Sequence, residues 1–179
     1  MKNLFKEKYK KIGILGGTFD PPHKGHLDIS KIALKNLNLD CVIWAITKKN
    51  PMKPKPFLNT ELRIKLSQEI LKNEKKIIVQ YMDNYIKSKS TYNLLNFIKN
   101  NRKKSQLFFL IGADNIINFH KWNKWRKITK LAKVIIFSRP GYDQKALNSV
   151  ALKNFSKKEF FYIKSTKINI SSSLIRKFW

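Results

Sequence analysis

Gly16-Gly17-Thr18-Phe19-Asp20-Pro21-Pro22-His23-Lys24-Gly25-His26-Leu27 separates two stretches of different period. Before it, residues 12–15 form a short apolar run; after it, Leu27, Ile29, Ile32, Ala33, Leu34 and Leu37 recur at three- and four-residue spacing. That change of period reads as a buried strand, a turn and an amphipathic helix. The chain has only six glycines and three histidines, yet Gly13, Gly16, Gly17, Gly25, His23 and His26 all fall in or beside this stretch. Gly16 and Gly17 let the backbone approach a phosphate closely and offer it bare N–H donors. Pro21 and Pro22 stiffen the turn, and Gly25 leaves room at the helix start, where the dipole favours an anion. Histidines three residues apart in a first helical turn share a face, so both rings can address one phosphoryl group.

Outward from this stretch the same alternation continues. Apolar runs at 41–46, 77–79, 107–111, 133–137 and 160–163 read as strands. Between them lie helical patterns: 60–71, with Thr60 as its cap and Leu62, Ile64, Leu66 and Ile70 inward, and one from Ser90 with Leu94, Leu95, Phe97 and Ile98 inward. A helical stretch through Trp122 and Trp125 follows, and a last helix runs from Ser172 to Trp179. Residues 48–59 carry Pro51, Pro54 and Pro56 and form a loop. With no internal repeat and no long linker, 1–179 is expected to be one domain. Its class is α/β: a single doubly wound parallel sheet with helices on both faces. Ligands bind such sheets at the carboxyl ends of the strands, which places the site at Gly16-Gly17, Thr47, Gly112 and Ser138.

Composition narrows the function classes. Hydrophobic residues make up 42% of the chain, enough for a sizeable core and against global disorder. No run of about 18 apolar residues is present, so no membrane span is expected. Residues 1–11 are charged without a following apolar segment, which is not a secretory signal. Cys41 is the one cysteine and cannot pair internally, which fits a reducing, cytoplasmic setting. The net charge of +27 suggests a polyanionic partner, but only five of the 38 basic residues are arginine. Nucleic-acid readers lean on arginine forks. Lysine spread along the whole chain beside abundant Asn, Ile and Phe reads instead as drift toward A/T-rich codons. Either way the charge attracts nucleotides through a salt-sensitive field.

His23-Lys24-Gly25-His26 resembles the HxGH signature of the nucleotidyltransferase superfamily. The spacing of Gly13, Gly16 and Gly17 does not fit a dinucleotide fingerprint, and no Gly-Lys-Ser/Thr closes a P-loop. Near the other end, Ile170-Ser171-Ser172-Ser173-Leu174-Ile175-Arg176 resembles the superfamily's ISSTxIR element, with Ser173 where threonine is common. Ser171 or Ser172 can cap the final helix, and Arg176 sits one turn in, able to clamp a triphosphate. Within the superfamily the chain resembles the bacterial nicotinate-mononucleotide adenylyltransferases over nearly its full length. The segment 109–114 followed by Trp122 is similar to their GAD…W element, 90–95 to TYxTL, and 138–141 to the RPG turn.

The resemblance implies a Rossmann-like fold and adenylyl transfer from ATP to nicotinate mononucleotide, giving nicotinate adenine dinucleotide and pyrophosphate. His23, His26 and Arg176 would be catalytic. ATP would be held by Gly16, Gly17, Thr18, Phe19 and Gly25, by Ser138 and Arg139, and by Ile170, Ser171, Ser172 and Ser173. The substrate side would include Thr91, Tyr92, Gly112, Asp114, Trp122 and Asn123, with Trp122 stacked on the pyridine ring and backbone N–H groups around Thr91 and Asn123 receiving the carboxylate. Asp114 would hydrogen-bond a ribose or help to place the magnesium-bound nucleotide. Mg²⁺ would be held mainly by ATP phosphates, since acidic residues total 11 and no protein metal ligands stand out. Two departures stand out: residues 50–55 carry no histidine where the family often has one, leaving Lys53 or Lys55 to compensate, and Asn93-Leu94 replace the usual xT of TYxTL. Rival readings are a related transferase acting on phosphopantetheine or a polyol phosphate, and a basic nucleic-acid-binding module that has lost catalysis. Small molecules are the expected partners; the oligomeric state is not written in the sequence.

Overall fold

In the computed structural model, which describes residues 9–50, 54–86, 90–164 and 171–178, six parallel strands form one sheet in the order β3-β2-β1-β4-β5-β6. They are β1 (Lys11–Gly17), β2 (Cys41–Ile46), β3 (Ile77–Tyr81), β4 (Gln106–Gly112), β5 (Lys133–Phe137) and β6 (Phe160–Ile163). Alternation along the strands supplies both halves of the core. Ile12, Ile14, Ile43, Ala45, Phe109, Ile111, Val134 and Ile136 face a layer containing α3 (Thr91–Asn101) and α5 (Trp125–Leu131). Leu15, Val42, Trp44, Ile46, Phe108, Leu110, Ile135 and Phe137 face the opposite layer, where α1 (Lys24–Asn36) contributes Ile29 and Ala33. All six residues of β2 are buried, which is why the run Cys-Val-Ile-Trp-Ala-Ile is apolar on both faces. Each such large side chain removed from water contributes roughly 1.5–3 kcal/mol. The chain winds outward from β1 to β3, then returns to β4 on the other side of β1. The switch point lies between β1 and β4, and there the carboxyl ends open a crevice.

The sequence expectations hold for the strand set and fail at particular joints. Gly16 and Gly17 are not in the turn: they end β1, in register with Ala45 and Ile46. The cap of α2 (Thr60–Ile70) is Asn59, whose side chain accepts the Leu62 N–H, rather than Thr60. Of the apolar positions of α2, Ile64 and Ile70 pack against the core as expected, while Leu62 is 39% exposed and the fully buried positions are Arg63 and Ser67. The start of this helix abuts loop carbonyls, so Arg63 there supplies donors beside the apolar contacts of Ile64 and Ile70. The helical stretch through Trp122 and Trp125 is broken into α4 (Ala113–Ile116), a 3-10 turn Phe119–Lys121, and α5, with Lys124 in the left-handed region (φ 52, ψ 34) between them. Two short helices, α6 (Asp143–Leu147) and α7 (Val150–Asn154), were not expected. The last helix is short: α8 (Ser172–Ile175) passes into a 3-10 turn Arg176–Phe178, and Trp179 lies outside the described residues. No described helix is long and apolar enough to cross a membrane.

Candidate active site

His23 caps α1 with extended backbone, and its N–H donates to Nδ1 of His26 at 3.2 Å. A neutral His26 ring therefore carries its proton on Nε2. The rings of His23 and His26 lie 3.8 Å apart, and His26 also packs on Phe19 at 4.7 Å. Behind them Phe19 stacks on Trp44 at 4.9 Å. The buried Trp44 indole N–H donates to Ser30 Oγ at 2.8 Å, and Ser30 Oγ donates to the His26 carbonyl at 2.9 Å. Thus β2 fixes the height of the first turn of α1, and with it both imidazoles. Burial, then the charge of Arg139, lowers the His23 pKa from 6.5 to about 4. The ring is neutral near pH 7, and its Nδ1 is buried without a hydrogen-bond partner among the described residues.

The two terminal motifs meet here across 151 residues of chain. Ser171 caps α8 by accepting the Leu174 N–H, and Ser172 Oγ donates to the Pro21 carbonyl at 2.8 Å. Arg176 donates to the Asp20 carbonyl and lies 3.3 Å from the Asp20 carboxylate. That carboxylate is itself buried, accepting the N–H groups of Phe57 and Leu58 at 2.8 Å each. Asp20 thus joins the first turn, the 54–59 loop and α8, a role that its position beside two prolines did not reveal.

Two cavities open along the switch point. One, of about 550 Å³, is lined by Gly16, Gly17, Thr18, Phe19, His23, Gly25, His26, Ser138, Arg139, Ser171, Ser172, Ser173 and Arg176, gathering the expected triphosphate side. Ile170 lies outside the described residues. Gly112, expected on the pyridine side, lines this cavity, as does Asp114, expected at a ribose or at the magnesium-bound nucleotide. The reason is local: Asp114 opens α4 directly after β4 and pairs with Arg139 at 2.6 Å, across the ends of β4 and β5. Gly112 leaves space for that carboxylate, since a Cβ there would come within 2.5 Å of Asp114 Oδ1. The Arg139 N–H is held by Asp143, which also accepts the Tyr162 hydroxyl proton. Lys55 reaches the same cavity; Lys53 is outside the described residues.

The other cavity, of about 620 Å³, is lined by Thr91 at the start of α3, by Trp122 and Asn123, and by Thr47, Asp83, Lys121 and Lys124. Tyr92 lines neither; its ring faces Lys124. The cavities share Gly16, Gly17, Asn50, Phe109 and Trp122. Trp122 is half-buried, packed edge-on against Phe109 at 6.1 Å and against Phe119 at 4.9 Å. It is at once a core neighbour and a cavity wall. Asn50, Asp83, Lys121 and Lys124 were missed because a single polar residue in a loop gives no periodic signal.

Fold and site define the class: an α/β nucleotidyltransferase, with the histidine-bearing first turn lining one of two adjoining cavities at the carboxyl ends of the strands. The cytidylyltransferase-like family matches residues 14–178. A Pelagibacter ubique protein named "Probable nicotinate-nucleotide adenylyltransferase" is 46% identical over 98% of this chain and 97% of its own length. One of the same name from Clostridium novyi is 34% identical over 93% of this chain and 86% of its own. The Plasmodium falciparum nicotinic acid mononucleotide adenylyltransferase complexed with NaAD superposes with a TM-score of 0.75 at 25% identity, covering 94% of this chain and 83% of that one. Its complex with APC gives 0.74 at 26%, with the same coverage. The chain belongs to the cytidylyltransferase-like family and, within it, to the nicotinate-nucleotide adenylyltransferases.

Proposed function

We propose that this chain transfers AMP from ATP to nicotinate mononucleotide, releasing pyrophosphate and forming nicotinate adenine dinucleotide. The observation that carries the reading is the pair of imidazoles, 3.8 Å apart, facing a cavity that shares its Gly16-Gly17 floor with a second one. A phosphate oxygen of the acceptor attacks the α-phosphorus of ATP in line. The bond from that phosphorus to the β-phosphate oxygen breaks, and its electron pair leaves with pyrophosphate. A phosphate monoester is already a nucleophile, so the protein works by positioning and charge stabilisation. His26, through Nε2–H, and His23 donate to the α-phosphate oxygens as charge builds. Arg176, Arg139, Ser138, the Ser171–Ser173 hydroxyls and the backbone from Gly16 to Phe19, with Gly25, hold the nucleotide.

The acceptor occupies the larger cavity, its ring on Trp122. Its carboxylate faces the start of α3, where an eleven-residue helix capped by Ser90 presents its positive end. Asn123 closes the opposite wall. Relatives named for nicotinate-nucleotide adenylyl transfer support this acceptor, as does the neighbour complexed with NaAD. ATP as co-substrate is supported by the neighbour that holds APC, an ATP analogue.

Among the described residues no three His, Cys, Asp or Glu side chains are grouped to hold a metal. The two carboxylates on the nucleotide side are engaged, Asp20 by backbone N–H groups and Arg176, Asp114 by Arg139. Mg²⁺ would accordingly be held mainly by the ATP phosphates, where it would neutralise their charge. The chain is read as one domain working on small molecules in the cytoplasm, with nucleic acid no part of its task.

The test is pyrophosphate release by purified protein with ATP and Mg²⁺, comparing nicotinate mononucleotide, nicotinamide mononucleotide and phosphopantetheine. Release fastest with nicotinate mononucleotide is expected. Release only with phosphopantetheine would overturn the acceptor, and silence with all three would overturn the transferase reading.

A further inference from the structure

Arg63 is 1% exposed, and its hydrogen bonds go to neutral acceptors. Nε donates to the Leu58 carbonyl at 3.2 Å. Nη1 donates to the Thr18 carbonyl and to the Thr47 carbonyl, the latter at 2.9 Å. Nη2 donates to the Lys48 carbonyl at 3.2 Å and to Thr60 Oγ1 at 2.9 Å. One planar fork thereby gathers the loop after β1, the loop after β2 and the start of α2. A lysine ammonium cannot reproduce that geometry.

We propose that Arg63 is a positioning residue for the nucleotide: by holding the Thr18 carbonyl, it aims the Phe19 N–H into the triphosphate cavity. The inference rests on the adenylyl-transfer reading. In a trans peptide the carbonyl and the following N–H point in opposite directions. Tying the Thr18 carbonyl to Arg63 turns the Phe19 N–H away from α2, and Thr18 and Phe19 both line the nucleotide cavity. The contacts to Thr47 and Lys48 have second anchors, since Thr47 N–H donates to the Gly17 carbonyl and Lys48 N–H to Asp83. The Thr18–Phe19 peptide is therefore the one that depends most on the guanidinium. Phe19 also sits at φ 51, in the left-handed region that an aromatic residue occupies only when its surroundings fix it. Its ring packs on His26 at 4.7 Å, so a shift of Phe19 also moves a wall of the imidazole pair.

The experiment compares Arg63→Lys with Ser67→Ala in steady-state kinetics. Ser67 is buried on the same helix and donates to the Arg63 carbonyl at 2.7 Å, so its loss weakens α2 without touching the guanidinium. Arg63→Lys is expected to raise KM for ATP about tenfold and to lower kcat, with KM for nicotinate mononucleotide changed less than about threefold. Ser67→Ala is expected to lower Tm and leave both KM values alone. Equal shifts in the two KM values of Arg63→Lys, or none, would overturn the proposal. If Arg63→Lys does not fold, Thr60→Val decides: it removes one acceptor of the fork, and an unchanged KM for ATP counts against Arg63. Wild-type turnover in the same assay separates this outcome from failure of the transferase reading, and ATP binding by calorimetry reads Arg63 without turnover.

Discussion

The backbone N–H of His23 reaches Nδ1 of His26, which places a donor proton on the far nitrogen of a neutral His26 ring. Losing one such donor to a developing phosphoryl charge should cost about 10²-fold in kcat, so His26→Ala is expected to keep its far-UV circular dichroism and lose turnover on that scale. His23 acts on stability as well. Its pKa falls from 6.5 to about 4 on folding, so between those pH values the unfolded chain binds a proton that the folded chain rejects. The contribution is complete above pH 6.5 and is lost as pH falls toward 4. Because the ring is only half-buried, solvent screening holds the effect to about 1–2 kcal/mol. In denaturant melts, wild type should lose stability relative to His23→Gln as pH drops through that window. At Trp122, replacement by alanine removes a wall of the larger cavity; KM for the pyridine substrate should rise about tenfold or more, with KM for ATP moving far less.

Helix α8 has four residues, too few to persist alone. Its place depends on the contacts of Ser172 with Pro21 and of Arg176 with Asp20. Ser172→Ala removes one hydrogen bond worth about 1 kcal/mol, so KM for ATP should rise about two- to tenfold while Tm barely moves. At this scale the sequence was legible where physics is local. Strands β2, β5 and β6 begin and end where their apolar runs do, and Ser90 caps α3 as its side chain suggests. It was not legible where a neighbour decides. Arg63 at a helical position looks like a solvated residue, and it is the carbonyls of Thr18, Thr47, Lys48 and Leu58, with the Thr60 hydroxyl, that give it reason to be buried. Likewise α6 and α7, five residues each, are shorter than the window in which a 3.6-residue period shows. The histidine pair was legible because scarce residues clustered; the pairing of Asp114 with Arg139 was not, because it depends on the loop that follows another strand.

Across the whole molecule the charge of +27 acts on both substrates, which are anions. Attraction at a distance is screened within about 8–10 Å at ordinary ionic strength. Raising salt from about 20 to 300 mM should lower kcat/KM for ATP several-fold, while Tm rises as self-repulsion relaxes. A stopped-flow and melting series in a non-chelating salt such as KCl reads both. The two cavities share Gly16-Gly17, Phe109, Asn50 and Trp122 among their lining residues and so adjoin one another. A single molecule long enough to occupy both gives up its translational freedom once, where two separate ligands give it up twice. A two-headed inhibitor, with an adenosine at one end and a carboxylated ring at the other, therefore gains roughly 10²- to 10⁴-fold over either half from linkage alone.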